Sequence, residues 1–310
     1  MMQRLAILCP GQGAQHPQMF DLARSDPRVA SLLAHWPLEA ACGMPLPAAL
    51  ADPALLFSNR IAQPLIVAAA LAVWEAIKDR IPVPALVAGY SIGELSAYGV
   101  AGALSAAQLI ALAATRARTM DACTVPTAAQ SLLAVSGLTA TALQPLLAQH
   151  QLSIAIQNGA DSLIIGGWCR DLRAAAAGLT QMGAQLTPIP VEVASHTGLM
   201  QDAVAPFGAA LQQCQFMDFK APVLAGISAA PVTKKEDALA LLPRQVAETI
   251  CWDQCMDACA EAGISVALEL GPGAALSRML RDRQPAIECR SVADFRTPAG
   301  IAKWLERHFS

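Results

Sequence analysis

Three residues in this 310-residue chain have the types and surroundings to do chemistry together: Ser91, His196 and Arg116. Ser91 lies in residues 85–94, ALVAGYSIGE, where a short apolar run ends in Gly-Tyr-Ser-Ile-Gly. That wording predicts a buried strand, a sharp turn and a helix over 95–103, with the serine on a nucleophile elbow. Gly89 and Gly93 suit the turn, because it brings backbone segments closer than a Cβ allows. The Ser91 hydroxyl then projects from the sheet end, with the Ile92 amide and the helix N-terminus aimed at any oxyanion formed beside it. Such a hydroxyl needs a general base. His16 follows a loop, and His35, His150 and His308 sit in polar or terminal surroundings. His196, in VASHTGLM at 193–200, is expected to end a strand and open a helix. A serine hydrolase would add an acid between serine and histidine in chain order. Of Glu94, Asp121, Asp161, Asp171 and Glu192, none falls at a strand end in the main domain. A Ser–His dyad, its imidazole oriented by a backbone carbonyl, is the simpler expectation. Arg116 and Arg118 stand two residues apart on a helix and so face different ways; one can reach the site while the other is solvated.

These residues need a sheet to carry them. Leu5–Cys9 reads as a strand, and residues 10–15, PGQGAQ, as the loop leaving it. A dinucleotide-binding loop requires a third glycine where His16 stands, so that reading fails and the loop instead offers the Gln12 amide to the sheet edge. Residues 52–80 carry a helical stripe, with Gln63-Pro64 expected to begin the second helix there and Pro82 and Pro84 to stop it. Ser105 is the expected N-cap of a helix running to about residue 122. After Thr124 the pattern changes: strands over 132–138, 153–157, 162–167 and 185–193, and helices over 140–149 and 170–182. That order is the split βαβ unit of a ferredoxin-like domain. The expected fold is therefore an α/β-hydrolase-like parallel sheet over 1–124 and 192–310, with a ferredoxin-like α+β subdomain inserted at 125–191. Residues 266–270 supply one more strand, followed by Gly271-Pro272-Gly273.

Composition sets bounds on function. Hydrophobic residues make up 55% and the mean hydropathy is +0.42, yet the most apolar run, residues 64–74, is interrupted at Glu75 and is short of the roughly 20 residues a bilayer needs. Residues 1–9 match no signal peptide. Nine scattered cysteines point to a reducing compartment, so a cytoplasmic protein without membrane association is expected. Cys251, Cys255 and Cys259 share one helical face but have no histidine near them, which suits buried small hydrophobes better than a metal site. The net charge of −3 and pI near 5.9 exclude a nucleic-acid footprint. Lys234, Lys235, Arg278, Arg281 and Arg283 can meet an acidic carrier or CoA phosphates, with solvated charge as their default role.

Taken together, PGQGAQ at 10–15, AQP at 62–64, GYSIGE at 89–94, RARTM at 116–120, QNGADSLIIGG at 157–167, VASHTGLM at 193–200 and ELGPG at 269–273 resemble the malonyl-CoA:acyl carrier protein transacylase family, in its order and over almost the whole chain. The resemblance implies that Ser91 accepts the acyl group, that His196 is its base, and that the backbone carbonyl at about Ala262 orients the histidine. It implies an oxyanion hole from Gln12 and the Ile92 amide, a malonyl carboxylate held by Arg116, and Gln63 and Asn158 near the acyl or pantetheine part. Malonyl-CoA is then the substrate, a carrier-protein thiol the acceptor, and no bound cofactor is called for. A guanidinium binds a carboxylate through two parallel hydrogen bonds, which an acetyl group would leave unmade, so malonyl is preferred. The wording GYSIGELSAYGVAG is most similar to the malonate decarboxylase epsilon subunit, which serves a phosphoribosyl-dephospho-CoA thiol; the alternatives are the transacylase of fatty acid synthesis and a serine hydrolase. Two departures stand out: Tyr90 replaces the family's usual histidine, and Ser162 a common glutamine.

Overall fold

The computed structural model describes residues 3–309. Its strands, in chain order, are β1 (Leu5–Cys9), β2 (Leu86–Gly89), β3 (Gln130–Ser136), β4 (Ser153–Gly159), β5 (Ser162–Trp168), β6 (Gln185–Ile189), β7 (Val223–Leu224), β8 (Pro231–Val232), β9 (Ile250–Cys251), β10 (Val266–Glu269) and β11 (Glu288–Ser291). They form two sheets. The larger runs β11-β10-β1-β2-β7-β8 and is parallel except for β8, which pairs antiparallel with β7 at the edge. β1 and β2 lie at its centre and are buried on both faces, which explains their unbroken apolar runs.

The helix Asn59–Ile77, against which much of this core packs, starts earlier than the proline suggests. Ser58 is still extended, and Pro64 falls inside the helix rather than in its first turn. With a 3-10 turn to Arg80 it is long and apolar enough to cross a membrane, but 89% of its most apolar window is buried within the protein, where it serves as a core helix. From β2 the chain turns directly into the helix Gly93–Val100, which stops short of Ala103 where Gly102 reverses the backbone at φ +74°. Ser105 then caps the helix Ala106–Asp121, exchanging hydrogen bonds with Gln108 in a capping box.

The smaller sheet has the order β6-β3-β5-β4-β9. Each neighbouring pair among its first four members is antiparallel, and the helices Ala140–Gln149 and Cys169–Gln181 connect β3 to β4 and β5 to β6, the ferredoxin-like arrangement. The fifth, β9, comes from outside 125–191 and pairs parallel with β4 through Ile156 and Gln157. Strand β6 ends at Ile189, and residues 190–195 reach His196 as irregular chain.

Candidate active site

Ser91 sits between β2 and the helix Gly93–Val100 with φ +54°, a left-handed conformation that costs a residue with a Cβ roughly 1–2 kcal/mol. The turn has no room for side chains on either side. A Cβ on Gly89 would lie 2.3 Å from the Glu94 backbone nitrogen, and one on Gly93 2.1 Å from the Cys9 carbonyl oxygen at the end of β1. The tight approach of β1 to the helix start is thus what fixes the serine in place. The Ile92 N–H makes no backbone hydrogen bond among the described residues, which leaves it free beside the hydroxyl.

Ser91 Oγ lies 2.8 Å from His196 Nε2. His196 is also left-handed, at φ +63°, and is 1% exposed. Its backbone N–H donates to the Val246 carbonyl at 2.8 Å, and its Nδ1 lies 2.6 Å from the Gln245 carbonyl oxygen. An Nδ1–H donating to that carbonyl leaves Nε2 as an acceptor for the serine proton. Burial, and then the Arg116 charge, push the imidazole pKa down to about 3, against a smaller upward pull from the Gln245 carbonyl, so the ring is neutral at physiological pH.

The carbonyl that orients the histidine is therefore that of Gln245, not Ala262. Ala262 ends the helix Trp252–Glu261, where its N–H bonds Ala258 and its position closes a helix rather than facing the site. Gln245 instead lies in a 3-10 turn, Arg244–Val246, that runs beside His196. The sequence carries one hint of it: a glutamine between Leu242 and Val246, both apolar and buried, is a polar group that must find partners.

Gln245 has many partners. Its Nε2 donates to the Ser91 carbonyl at 2.9 Å and to Glu94 Oε2 at 2.8 Å, and its Oε1 accepts from Arg116 Nη2 at 3.0 Å. Arg116 Nη1 donates to Gln63 Oε1 at 2.9 Å. All four side chains are buried, with Arg116 and Glu94 each 1% exposed. Desolvation raises the Glu94 pKa to about 7, opposed by its hydrogen bonds and by Arg116; the Arg116 pKa falls to about 10 by burial, held up by Glu94. Glu94 Oε2 accepts a second bond from the Gly226 N–H at 3.0 Å, while Oε1 has no partner among the described residues. Arg118, by contrast, bonds Thr115 at the surface.

A cavity of about 420 Å³ opens over Ser91 and His196, lined also by Gln12, Tyr90, Asn158 and Arg278. Gln12 therefore shares a wall with the hydroxyl, whereas Gln63 and Arg116 lie behind the site within the polar network and do not line it. Tyr90 Oη lies 3.1 Å from Asn158 Oδ1 on β4, so the two sheets meet at this wall. The ELGPG stretch closes the opposite side: Glu269 accepts from the Leu276 and Ser277 N–H groups at 3.3 and 2.7 Å and anchors the helix Ala275–Arg283. Of the basic residues, Arg278 reaches the cavity, Arg283 is paired with Asp257 and Lys235 lies over the Phe216 ring. Among the described residues no cluster of three metal-ligating side chains occurs. Cys255 and Cys259 are buried, and burial drives their thiols upward.

The arrangement can accept an acyl group on a serine, with a neutral imidazole as base and a buried cation close behind. The sequence profile of the acyl transferase domain family matches residues 7–296. The malonyl CoA-acyl carrier protein transacylase of Mycobacterium bovis is 30% identical over 302 residues, spanning 96% of this chain and 98% of the relative. The structure of malonyl-CoA:acyl carrier protein transacylase from Xanthomonas oryzae superposes with a TM-score of 0.90 at 28% identity, over 99% of each chain. A malonyl-transacylase solved in complex with a type II PKS acyl-carrier protein superposes with a TM-score of 0.90 at 25% identity, over 98% of this chain and 100% of the other.

Proposed function

Since this chain belongs to the acyl transferase domain family, among the malonyl CoA-acyl carrier protein transacylases, we propose that it moves a malonyl group from malonyl-CoA to the thiol of an acyl carrier protein through a malonyl ester of Ser91. The observation that carries the reading is the line from Ser91 Oγ through the His196 ring to the Gln245 carbonyl, with successive separations of 2.8 and 2.6 Å. In the first half-reaction Ser91 Oγ attacks the thioester carbon while His196 Nε2 takes its proton. The charge that develops on the carbonyl oxygen is stabilised by the Ile92 N–H and the Gln12 amide. The C–S bond then breaks and CoA leaves as the thiol, carrying the proton from His196. In the second half-reaction the carrier thiol gives its proton to His196 and attacks the ester, and Ser91 regains a proton as it departs.

Arg116 supports the malonyl preference. Two of its donors are held by the amide oxygens of Gln63 and Gln245, and a malonyl carboxylate competes with those neutral acceptors for the guanidinium. Asn158 lies on the cavity wall where the thiol-bearing arm passes. The named relatives favour an acyl carrier protein as acceptor. The malonate decarboxylase carrier subunit is the second reading, and the wording of residues 89–102 supports it. We place the reaction in the cytoplasm, a setting that suits the nine free cysteines.

The test is intact-protein mass after mixing with malonyl-CoA or acetyl-CoA. A malonyl adduct that Ser91→Ala abolishes, and that a carrier thiol discharges, is the expected result. Free CoA released without an adduct or a charged carrier would instead indicate hydrolysis. Adding each type of carrier in turn separates the two acceptors.

A further inference from the structure

Tyr90 stands immediately before the nucleophile, and its ring is fixed on several sides. It packs edge-on against Trp252, with ring centroids 5.3 Å apart at 79°. Gly11 lets the opposing loop come so close that a Cβ there would lie 3.0 Å from Tyr90 Cδ1. The Tyr90 N–H is held by the Cys9 carbonyl at 3.0 Å. The hydroxyl cannot swing away from Asn158. Burial raises its pKa well above that of a free phenol, so it keeps its proton, and a buried O–H must find an acceptor. Asn158 Oδ1 supplies one at 3.1 Å. With Oδ1 engaged by the Tyr90 hydroxyl, Asn158 Nδ2 has no hydrogen-bond partner among the described residues, and Asn158 lines the same cavity as Ser91.

We propose that Tyr90 is a positioning residue that turns the Asn158 amide so that its N–H₂ group faces the cavity and donates to an amide carbonyl of the pantetheine-type arm carrying the substrate thiol. An unconstrained asparagine can present either its oxygen or its nitrogen. The hydroxyl removes that choice, and the wall becomes a donor. The inference rests on the malonyl-transfer reading, in which the carboxylate goes to Arg116 and the thioester oxygen to Gln12 and the Ile92 amide. The arm, with its amide carbonyls, is then the part of the substrate left to pass Asn158.

The experiment compares two malonyl donors that differ in the arm: malonyl-CoA and malonyl-S-phenyl thioester, which has no amide. Serine acylation is followed by mass and thiol release in wild type, Tyr90→Phe, Asn158→Ala and the double variant. Tyr90→Phe keeps the ring and its contact with Trp252, so the fold is retained. The ratio of kcat/KM for malonyl-CoA over that for the phenyl thioester is expected to fall about five- to tenfold in Tyr90→Phe, the worth of one hydrogen bond, through KM rather than kcat. The double variant is expected to fall no further than Asn158→Ala, because the hydroxyl acts only through that amide. An unchanged ratio in Tyr90→Phe, or additive losses in the double variant, overturns the inference while leaving malonyl transfer intact. Failure of the wild type to acylate Ser91 from either donor takes down the transfer reading and this inference with it.

Discussion

The side-chain oxygen of Gln245 lies 3.0 Å from Arg116 Nη2, while the main-chain oxygen of the same residue takes the His196 ring at 2.6 Å. One residue thus braces both His196 and Arg116. Gln245→Leu separates the two, since it keeps the carbonyl and deletes the amide. We expect serine acylation by acetyl-CoA to persist and the malonyl-over-acetyl preference to fall on the order of tenfold, the scale of a hydrogen bond to a charged group. The rates of adduct formation with the two donors measure this, and an unchanged preference would mean that Arg116 stands without Gln245.

The pH profile follows from the burial of His196. With its pKa pushed down to about 3, the ring stays neutral throughout the range in which a free histidine would gain a proton. Below that value the base is lost; above it the base is present. The kcat/KM for acylation should therefore show no histidine inflection near pH 6.5, and a sharp acid limb there would contradict the buried geometry.

Two buried groups of the site, His196 and Glu94, act on stability in opposite senses as pH changes. The folded-state pKa of His196 is depressed, so its contribution is complete above about 6.5 and is lost as pH falls toward 3. That of Glu94 is raised from 4.5 to about 7, so its contribution is complete below 4.5 and is lost as pH rises through 7. Between 4.5 and 6.5 the two slopes cancel. Glu94→Gln removes one of them. Relative to wild type, the variant should gain stability between pH 4.5 and pH 8 by about 3 kcal/mol, read from denaturant midpoints at each pH. A pH-independent difference would show that Glu94 is ionised in the usual carboxylate range.

Two glycines should respond in opposite ways to the same substitution. Gly93→Ala places a Cβ 2.1 Å from the Cys9 oxygen, backbone against backbone, and should cost on the order of 3 kcal/mol or more and displace Ser91. Gly198, in the exposed turn after His196, has nothing within 4 Å of the methyl group that alanine would add, and Gly198→Ala should be neutral or stabilising by about 0.5 kcal/mol. Thermal unfolding of both variants, together with the Ser91 adduct yield, checks the pair.

What could be seen in the sequence depended on whether a role needs a particular side chain. Ser91, Gly89 and Gly93 stand out because only those types satisfy an elbow, and Ser105 because only a few types cap a helix. The six elements of the small domain were legible from alternation and turns. Gln245 was not, since its contribution to His196 is a main-chain carbonyl that any residue possesses. Ala262 was expected there only by position. Glu94 looks like an ordinary acidic residue in a first helical turn, and its burial depends on the distant Gly226 and Gln245. The strands β7, β8 and β9 have two residues each, too few for a period to show.

The placement of β9 has a mechanical consequence. The chain enters the small sheet at β3 and leaves it from β6, adjacent strands, so these two tethers alone would form a hinge line along one margin. β9 docks on β4 at the opposite margin, only a few residues after Gln245. A plate fastened along one side swings; a plate fastened along both sides does not. The small sheet, whose strand β4 carries Asn158 on the cavity wall opposite Ser91, is thus tied to the main domain along both margins, and a swing of that wall about β3 and β6 would have to unpair β9 from β4.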